Sequence, residues 1–274
     1  MKAAYTVFHA RAGDHNDLAM PGAAAIGNAL LGQTGIAPTT IGNFEPALNK
    51  GWREELEAAM PALRLMQDRL ESVFAEGSAS VAATSRCAVS LATLPVVIKH
   101  HPSACVVWFD AHADLNTPGS TTTGYLGGLV LAGAAGLWNS DLGAGLSLNS
   151  LILVGQRDLD PFEQELIEQF AIPHIRPTDD LPAALRQAIS GRPIYIHLDC
   201  DVLEPGIVPT DYCHEGGLTL DDLLVCSQEI AEHRVVGIEI AEFQNAWDQS
   251  GGSVSPGPLL QAIDPILALF RSRT

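Results

Sequence analysis

The sequence is poor in positive charge. Its 274 residues include 15 Lys and Arg against 32 Asp and Glu, which gives a formal net charge of -17 at pH 7 with neutral His. A chain this acidic repels the phosphates of nucleic acids and the anionic surfaces of membranes. We therefore expect neither a nucleic acid nor a membrane as a partner.

Long apolar runs and paired cysteines are also missing. No run of about 18 apolar residues occurs, which argues against a transmembrane helix, and residues 1–9 lack the apolar core of a secretion signal. The five cysteines are scattered, without a CxxC pair or the spacing of a disulfide framework. These absences predict a cytoplasmic protein whose thiols are reduced.

Apolar side chains are abundant enough for one large core. Hydrophobic residues make up 47% of the chain and charged residues 17%. Short apolar runs that predict buried strands alternate with helical patterns. The runs lie at residues 105–109, 151–154, 193–198 and 235–238. This alternation predicts an α/β fold, a three-layer α/β/α sandwich with a mainly parallel sheet, formed by residues 1–274 as a single domain.

The sequence also predicts the positions of several helices and loops. After Gly51, apolar residues recur at spacings of three and four, which predicts one long amphipathic helix. Thr219 followed by two acids is typical of a helix start, and a last helix is predicted over residues 258–270. Clusters of Gly, Ser and Thr at residues 119–128 and 251–257 predict loops beside a site.

Two of the predicted strands run directly into acidic residues. One is followed by Asp110, His112 and Asp114, and the other by Asp199 and Asp201. Residues at spacing two in an extended chain share one face, and parallel strands present their carboxyl ends at one edge of the sheet. Four carboxylates in one place repel each other unless cations compensate them. Oxygen-rich ligation favours Mn²⁺ or Mg²⁺ over Zn²⁺. Helix caps and turns are the alternative interpretation of these acids.

Four motifs resemble, in order along the chain, signatures of the ureohydrolases: arginase, agmatinase and formiminoglutamase. They are Asp-Ala-His-Ala-Asp at 110–114, His-Leu-Asp-Cys-Asp-Val-Leu-Glu-Pro at 197–205, Gly-Gly-Leu-Thr at 216–219 and Gly-Ile-Glu-Ile-Ala-Glu at 237–242. The resemblance implies a parallel α/β/α sandwich that hydrolyses guanidino compounds. It also implies two Mn²⁺ per chain as the cofactor.

Within this family, the sequence resembles the arginase branch in particular. Asp-Leu-Asn-Thr-Pro and Thr-Thr-Thr-Gly follow the first motif, which implies a small guanidino amino acid as substrate. The implied contacts are Asn116 and Thr123 with the α-carboxylate, Asp160 and Glu163 with the α-amino group, and Glu242 with the guanidino group.

Two positions depart from the family pattern. Where the family carries Gly-Gly-Asp-His-Ser, this chain reads Thr-Ser-Arg-Cys-Ala at 84–88, so Cys87 stands at a metal-ligand position. A thiolate can bind a divalent ion, although its softness suits Zn²⁺ or Fe²⁺ better than Mn²⁺. A buried cysteine beside a site with one ligand fewer is the alternative.

The second departure is Gly127, which falls where arginases carry a proton-shuttling histidine. Its absence leaves Asp114 as the best proton carrier.

The two departures together resemble a branch of the family that acts on Nω-hydroxy-L-arginine, which implies cleavage of this specialised substrate to L-ornithine and hydroxyurea. Its extra oxygen could reach a metal or a polar group in the space opened by Gly127. The resemblance extends to the branch of the family that serves D-cycloserine biosynthesis. Ordinary arginase or another ureohydrolase, a silent metal-binding relative and a deacetylase-like hydrolase are the alternatives. Because the chain ends soon after its last predicted helix, we expect a monomer.

Overall fold

The computed structural model describes residues 2–271. Within them eight strands form one sheet: β1 (Ala3–Phe8), β2 (Thr39–Ile41), β3 (Ala79–Ala83), β4 (Cys105–Phe109), β5 (Leu151–Val154), β6 (His174–Ile175), β7 (Ile194–Asp199) and β8 (Val235–Ala241). Their order across the sheet is β2-β1-β3-β8-β7-β4-β5-β6, and every pairing is parallel. The predicted parallel sheet is therefore confirmed.

Nine helices lie in the same part of the chain: α1 (Ala19–Thr34), α2 (Trp52–Ala75), α3 (Ser90–His100), α4 (Val130–Ala134), α5 (Pro161–Gln169), α6 (Leu181–Ile189), α7 (Leu220–Ala231), α8 (Gly257–Ala262) and α9 (Asp264–Ala268). Short 3₁₀ turns occur at residues 87–89, 127–129, 148–150 and 200–202. None of the helices described is long and apolar enough to cross a membrane.

The sheet is covered on both faces. In β4, Cys105, Val107 and Phe109 belong to one apolar cluster, and Val106 and Trp108 belong to the other. The first cluster includes side chains of α1, α6, α7, α8 and α9, and the second includes side chains of α2 to α5. Successive residues of a strand point to opposite faces, so each face has its own core. This arrangement is the predicted α/β/α sandwich.

Two helix predictions are confirmed. The α2 helix follows Gly51 and buries Leu63, Met66 and Leu70 in one stripe. The α7 helix starts after Thr219, whose Oγ1 accepts a hydrogen bond from the backbone N–H of Asp222 at 3.1 Å. In return, an Asp222 carboxylate oxygen accepts the N–H of Thr219 at 2.9 Å. This reciprocal pair satisfies two N–H groups that a helix start otherwise leaves free.

The prediction of one helix over 258–270 is wrong. The segment forms α8 and α9, which are separated at Ile263. Pro265 has no N–H to donate, and its ring clashes with the carbonyl four residues earlier, so the chain must start a new helix there.

The two predicted loops differ in their position relative to the cleft described below. The loop at 119–128 contributes residues to its lining, whereas the loop at 251–257 contributes none.

Thr219→Ala tests the start of α7. Losing this cap is expected to lower the free energy of unfolding by about 1 kcal/mol. Chemical denaturation of the two proteins measures the difference. Thr178→Ala, in an exposed turn, is the matched control and should change stability by much less. Equal losses in both variants would contradict a capping role for Thr219.

Candidate active site

A cleft opens where β3, β8, β7 and β4 end. Its cavity volume is about 300 Å³. Every residue that the sequence assigns to the site borders this cleft except Asp110, which is 1% exposed. The lining comprises Cys87, His112, Asp114, Asn116, Thr121, Thr122, Thr123, Tyr125, Gly128, Asp158, Asp160, Glu163, Asp199, Asp201, Tyr212, His214 and Glu242. The structure thus brings the predicted residues together, while their roles stay predictions.

The carboxylates meet because β4 and β7 are neighbours. Phe109 pairs with Leu198, so Asp110 and Asp199 leave the sheet side by side. An Asp201 carboxylate oxygen accepts the N–H of Ala111 at 3.0 Å, which ties the turn after β7 to the chain after β4. These backbone constraints hold the acidic groups close together despite their mutual repulsion.

His112 lies between two of the carboxylates. Its Nδ1 is 3.1 Å from an Asp110 oxygen and 3.2 Å from an Asp201 oxygen. The three residues offer ligand atoms within 4.8 Å of one another. One imidazole nitrogen and two carboxylate oxygens form a donor set that suits a divalent ion.

Cys87 helps to form a second group. It follows β3 in a 3₁₀ turn, and its thiol donates to an Asp199 oxygen at 2.8 Å. Cys87, Asp110, His197 and Asp199 offer ligand atoms within 4.8 Å of one another. Because Asp110 belongs to both groups, the donor set fits two ions that share a carboxylate. Asp114 lines the same cleft but belongs to neither group.

The charges of the cluster explain why cations fit it. Burial, together with the neighbouring carboxylates, raises the pKa of Asp110, Asp114 and Asp199. Burial and the same carboxylates raise the pKa of the Cys87 thiol. Burial acts on Asp201 as well, but the hydrogen bond and charge of His112 outweigh it and hold its pKa low. Bound cations would favour the ionised form of every one of these groups.

A buried network behind Cys87 was not predicted as a unit. His197 Nε2 is 3.0 Å from Cys87 Sγ, and its Nδ1 is 2.9 Å from a Glu239 oxygen. The imidazole stacks on Trp108 with ring centroids 3.5 Å apart. Glu239 also accepts hydrogen bonds from the hydroxyls of Ser90, Thr93 and Tyr195. The network fixes the position of the imidazole next to the thiol. The sequence signal was a His and a Glu inside apolar strands, and the register pairs them directly.

The residues predicted to hold the amino-acid end are linked to one another. Asn116 donates from its amide to an Asp160 oxygen at 2.8 Å. Glu163 accepts the N–H groups of Leu115 and Asp160, both at 3.0 Å, and so caps α5. Burial raises the pKa of Glu163 to about 7. Thr123 is exposed at the rim of the cleft.

The space expected at Gly127 is not open. A Cβ placed on Gly127 would lie 2.4 Å from the Tyr125 ring, so this ring fills the volume that a side chain at 127 would need. The Tyr125 hydroxyl donates to Glu242 at 3.1 Å. The expectation that an extra substrate oxygen enters a gap at Gly127 is therefore wrong, and Tyr125 is the polar group on that side.

The far end of His112 faces the mouth of the cleft. Its Nε2 lies 3.2 Å from His214 Nε2, and Asp158 is near both rings. Arg157 donates to the backbone carbonyl of His214 at 2.8 Å and to that of Asp201 at 2.8 Å. Arg157 thereby anchors the loop of His214 to the turn that carries Asp201.

Comparison with known proteins decides the family. The model of the arginase family matches residues 11–255. The chain belongs to the arginase family. It is 36% identical over 259 residues, 94% of its length and 95% of the relative's, to the N(omega)-hydroxy-L-arginine amidinohydrolase of Streptomyces lavendulae. It is 28% identical over 201 residues to the arginase of Eremothecium gossypii, covering 66% of this chain and 50% of that one.

Solved structures agree on the fold of this arginase-family protein. The arginase of Bacillus caldovelox matches with a TM-score of 0.82 at 20% identity, covering 100% of this chain and 99% of that one. The proclavaminate amidino hydrolase of Streptomyces clavuligerus matches with a TM-score of 0.73 at 16% identity, covering 98% and 91%. The predicted fold class and the predicted enzyme class, a hydrolase of this metal-dependent family, are confirmed.

Cys87→Ser tests whether the thiol is a ligand. Its sulfur touches Asp199, whereas Cys200 packs in the apolar core at 1% exposure. We expect Cys87→Ser to weaken binding of one Mn²⁺ by at least about tenfold, the effect of losing even an outer partner of a ligand. Metal titration of the apoprotein measures this affinity. Cys200→Ser is the control and should bind both ions normally; the same metal affinity in both variants would mean that Cys87 only packs.

Proposed function

We propose that this chain is a binuclear-manganese hydrolase that cleaves the hydroxyguanidino group of Nω-hydroxy-L-arginine to L-ornithine and hydroxyurea. The observation that carries the proposal is the 36% identity, over nearly both full lengths, to a hydroxyarginine amidinohydrolase. The two donor groups that share Asp110 support a pair of metal ions. The predictions of a single domain, a monomer, a cytoplasmic location and a role in D-cycloserine biosynthesis stay predictions.

The residues that would hold the two ions are Cys87, Asp110, His112, Asp114, Asp199 and Asp201. When bound, the ions lower the pKa of a water molecule toward neutrality. The structure supports Cys87 as a ligand rather than a packing residue, because its sulfur faces Asp199 and borders the cleft. Asp114 would complete the set from its position on the cleft wall.

The chain's own residues then position the substrate and move its protons. Asn116, Thr123, Asp160 and Glu163 would bind the amino-acid end. Water attacks the carbon of the hydroxyguanidino group, an Asp114 carboxylate oxygen accepts the proton, and the bond from this carbon to the ornithine nitrogen breaks. Asp114 returns the proton to the departing amine.

The substrate itself eases the reaction. An unmodified guanidinium stays protonated at working pH, which spreads positive charge over the carbon and gives a poor electrophile. A hydroxyl substituent withdraws electrons and makes the group much less basic. Without a histidine at Gly127, a substrate that places less demand on acid catalysis is the one this site suits best.

The substrate proposal predicts a ranking of rates. With Mn²⁺ added, kcat/KM for Nω-hydroxy-L-arginine should exceed that for L-arginine by at least about tenfold, and agmatine and formiminoglutamate should be poorer still. Steady-state assays of urea, hydroxyurea and formamide release make the comparison. Arginine equal to or better than hydroxyarginine would contradict the specialised substrate. No turnover of all four would favour a silent metal-binding protein.

A further inference from the structure

The buried side chain of Arg86 contacts Glu242, the carboxylate proposed to contact the guanidino group of the substrate. Arg86 is 0% exposed, and three carboxylates surround it. Its Nε donates to Asp14 at 2.9 Å, and its Nη1 donates to Glu242 at 2.7 Å and to Asp211 at 3.1 Å. A guanidinium stays protonated in a protein, so this positive charge is permanent.

Arg86 leaves Glu242 little capacity for another cation. A carboxylate has about four lone-pair positions, and Glu242 uses three of them. One oxygen accepts from the N–H of Cys87 at 2.9 Å and from the hydroxyl of Tyr125 at 3.1 Å. The other accepts from Arg86. The negative charge of Glu242 is thus paired inside the protein before any substrate binds.

Arg86 also departs from the family pattern in the sign of its charge. The family motif Gly-Gly-Asp-His-Ser, from which residues 84–88 differ, carries an acid where this chain carries Arg86. Unlike an ionised acid, the arginine can pair with Glu242, and it offsets the negative charge that would attract a guanidinium. Buried ion clusters seldom stabilise a fold more than apolar side chains of similar size would. A role in the choice of substrate accounts for this costly arrangement better than stability does.

We propose that Arg86 is a specificity-determining positioning residue: by pairing with Glu242 it makes the guanidino end of the site select a neutral hydroxyguanidine over a cationic guanidinium. The inference rests on the proposed function, since it assumes that Glu242 faces the reacting group. Arg86 acts through Glu242 and does not line the cleft itself. A substrate cation would have to share Glu242 with Arg86 and would also be repelled by it.

Arg86→Gln tests the charge. It releases Glu242, so kcat/KM for L-arginine relative to hydroxyarginine should rise by at least about tenfold, the factor that one charge-assisted hydrogen bond supplies. The gain should lie mainly in a lower KM for arginine, and calorimetry should show a lower Kd for L-arginine. Arg86→Lys keeps the positive charge and should stay close to the wild-type ratio. Parallel losses on both substrates, with an unchanged ratio, would reduce Arg86 to a structural role.

A second variant covers the case in which Arg86→Gln does not fold because it leaves three carboxylates unpaired. Asp211→Asn removes the negative charge that competes with Glu242 for Arg86 Nη1 and so strengthens the pairing of Arg86 with Glu242. Selectivity for hydroxyarginine should therefore increase; an unchanged or lower selectivity would overturn the proposal. Wild-type protein that turns over neither substrate would reject the proposed function alone, and the Kd of L-arginine in these variants would still decide the role of Arg86.

Discussion

Repulsion among four buried carboxylates is the constraint on which the rest of the site depends. Asp110, Asp114, Asp199 and Asp201 are each at most 5% exposed, and burial alone disfavours the charged form of each. The parallel pairing of β4 and β7 forces them together, and backbone hydrogen bonds keep them there. Cations that neutralise them convert an unfavourable arrangement into a functional one.

Basic side chains also surround this acidic centre. His112 lies inside the cluster, Arg157 ties together the turns that border it, and Arg86 pairs with Glu242 at its edge. Only 15 Lys and Arg serve the whole chain, whose net charge is -17. The position of two of these arginines beside the acidic centre is therefore informative about the function of the site. The placement of Arg86 in particular links the charge balance of the site to the charge of its substrate.

The sequence predicted those parts of the site that local pattern determines. Asp110, His112 and Asp199 follow apolar strands at spacing two, and such strands have few alternative structures. The pairs Arg86–Glu242 and His197–Glu239 join residues that are 156 and 42 positions apart. Only the strand order brings these pairs together, so no local pattern predicts them. The sequence also did not predict that the Tyr125 ring occupies the space beside Gly127. A glycine indicates that a side chain is absent, but not which neighbouring side chain fills the space.

Diffraction at the manganese absorption edge, from crystals grown with Mn²⁺, tests the two-metal account most directly. Two anomalous peaks are expected in the cleft, both within bonding distance of shared Asp carboxylates and one of them also bonded to Cys87 Sγ. A single peak, or a peak held only by His112, Asp158 and His214 at the mouth of the cleft, would contradict it.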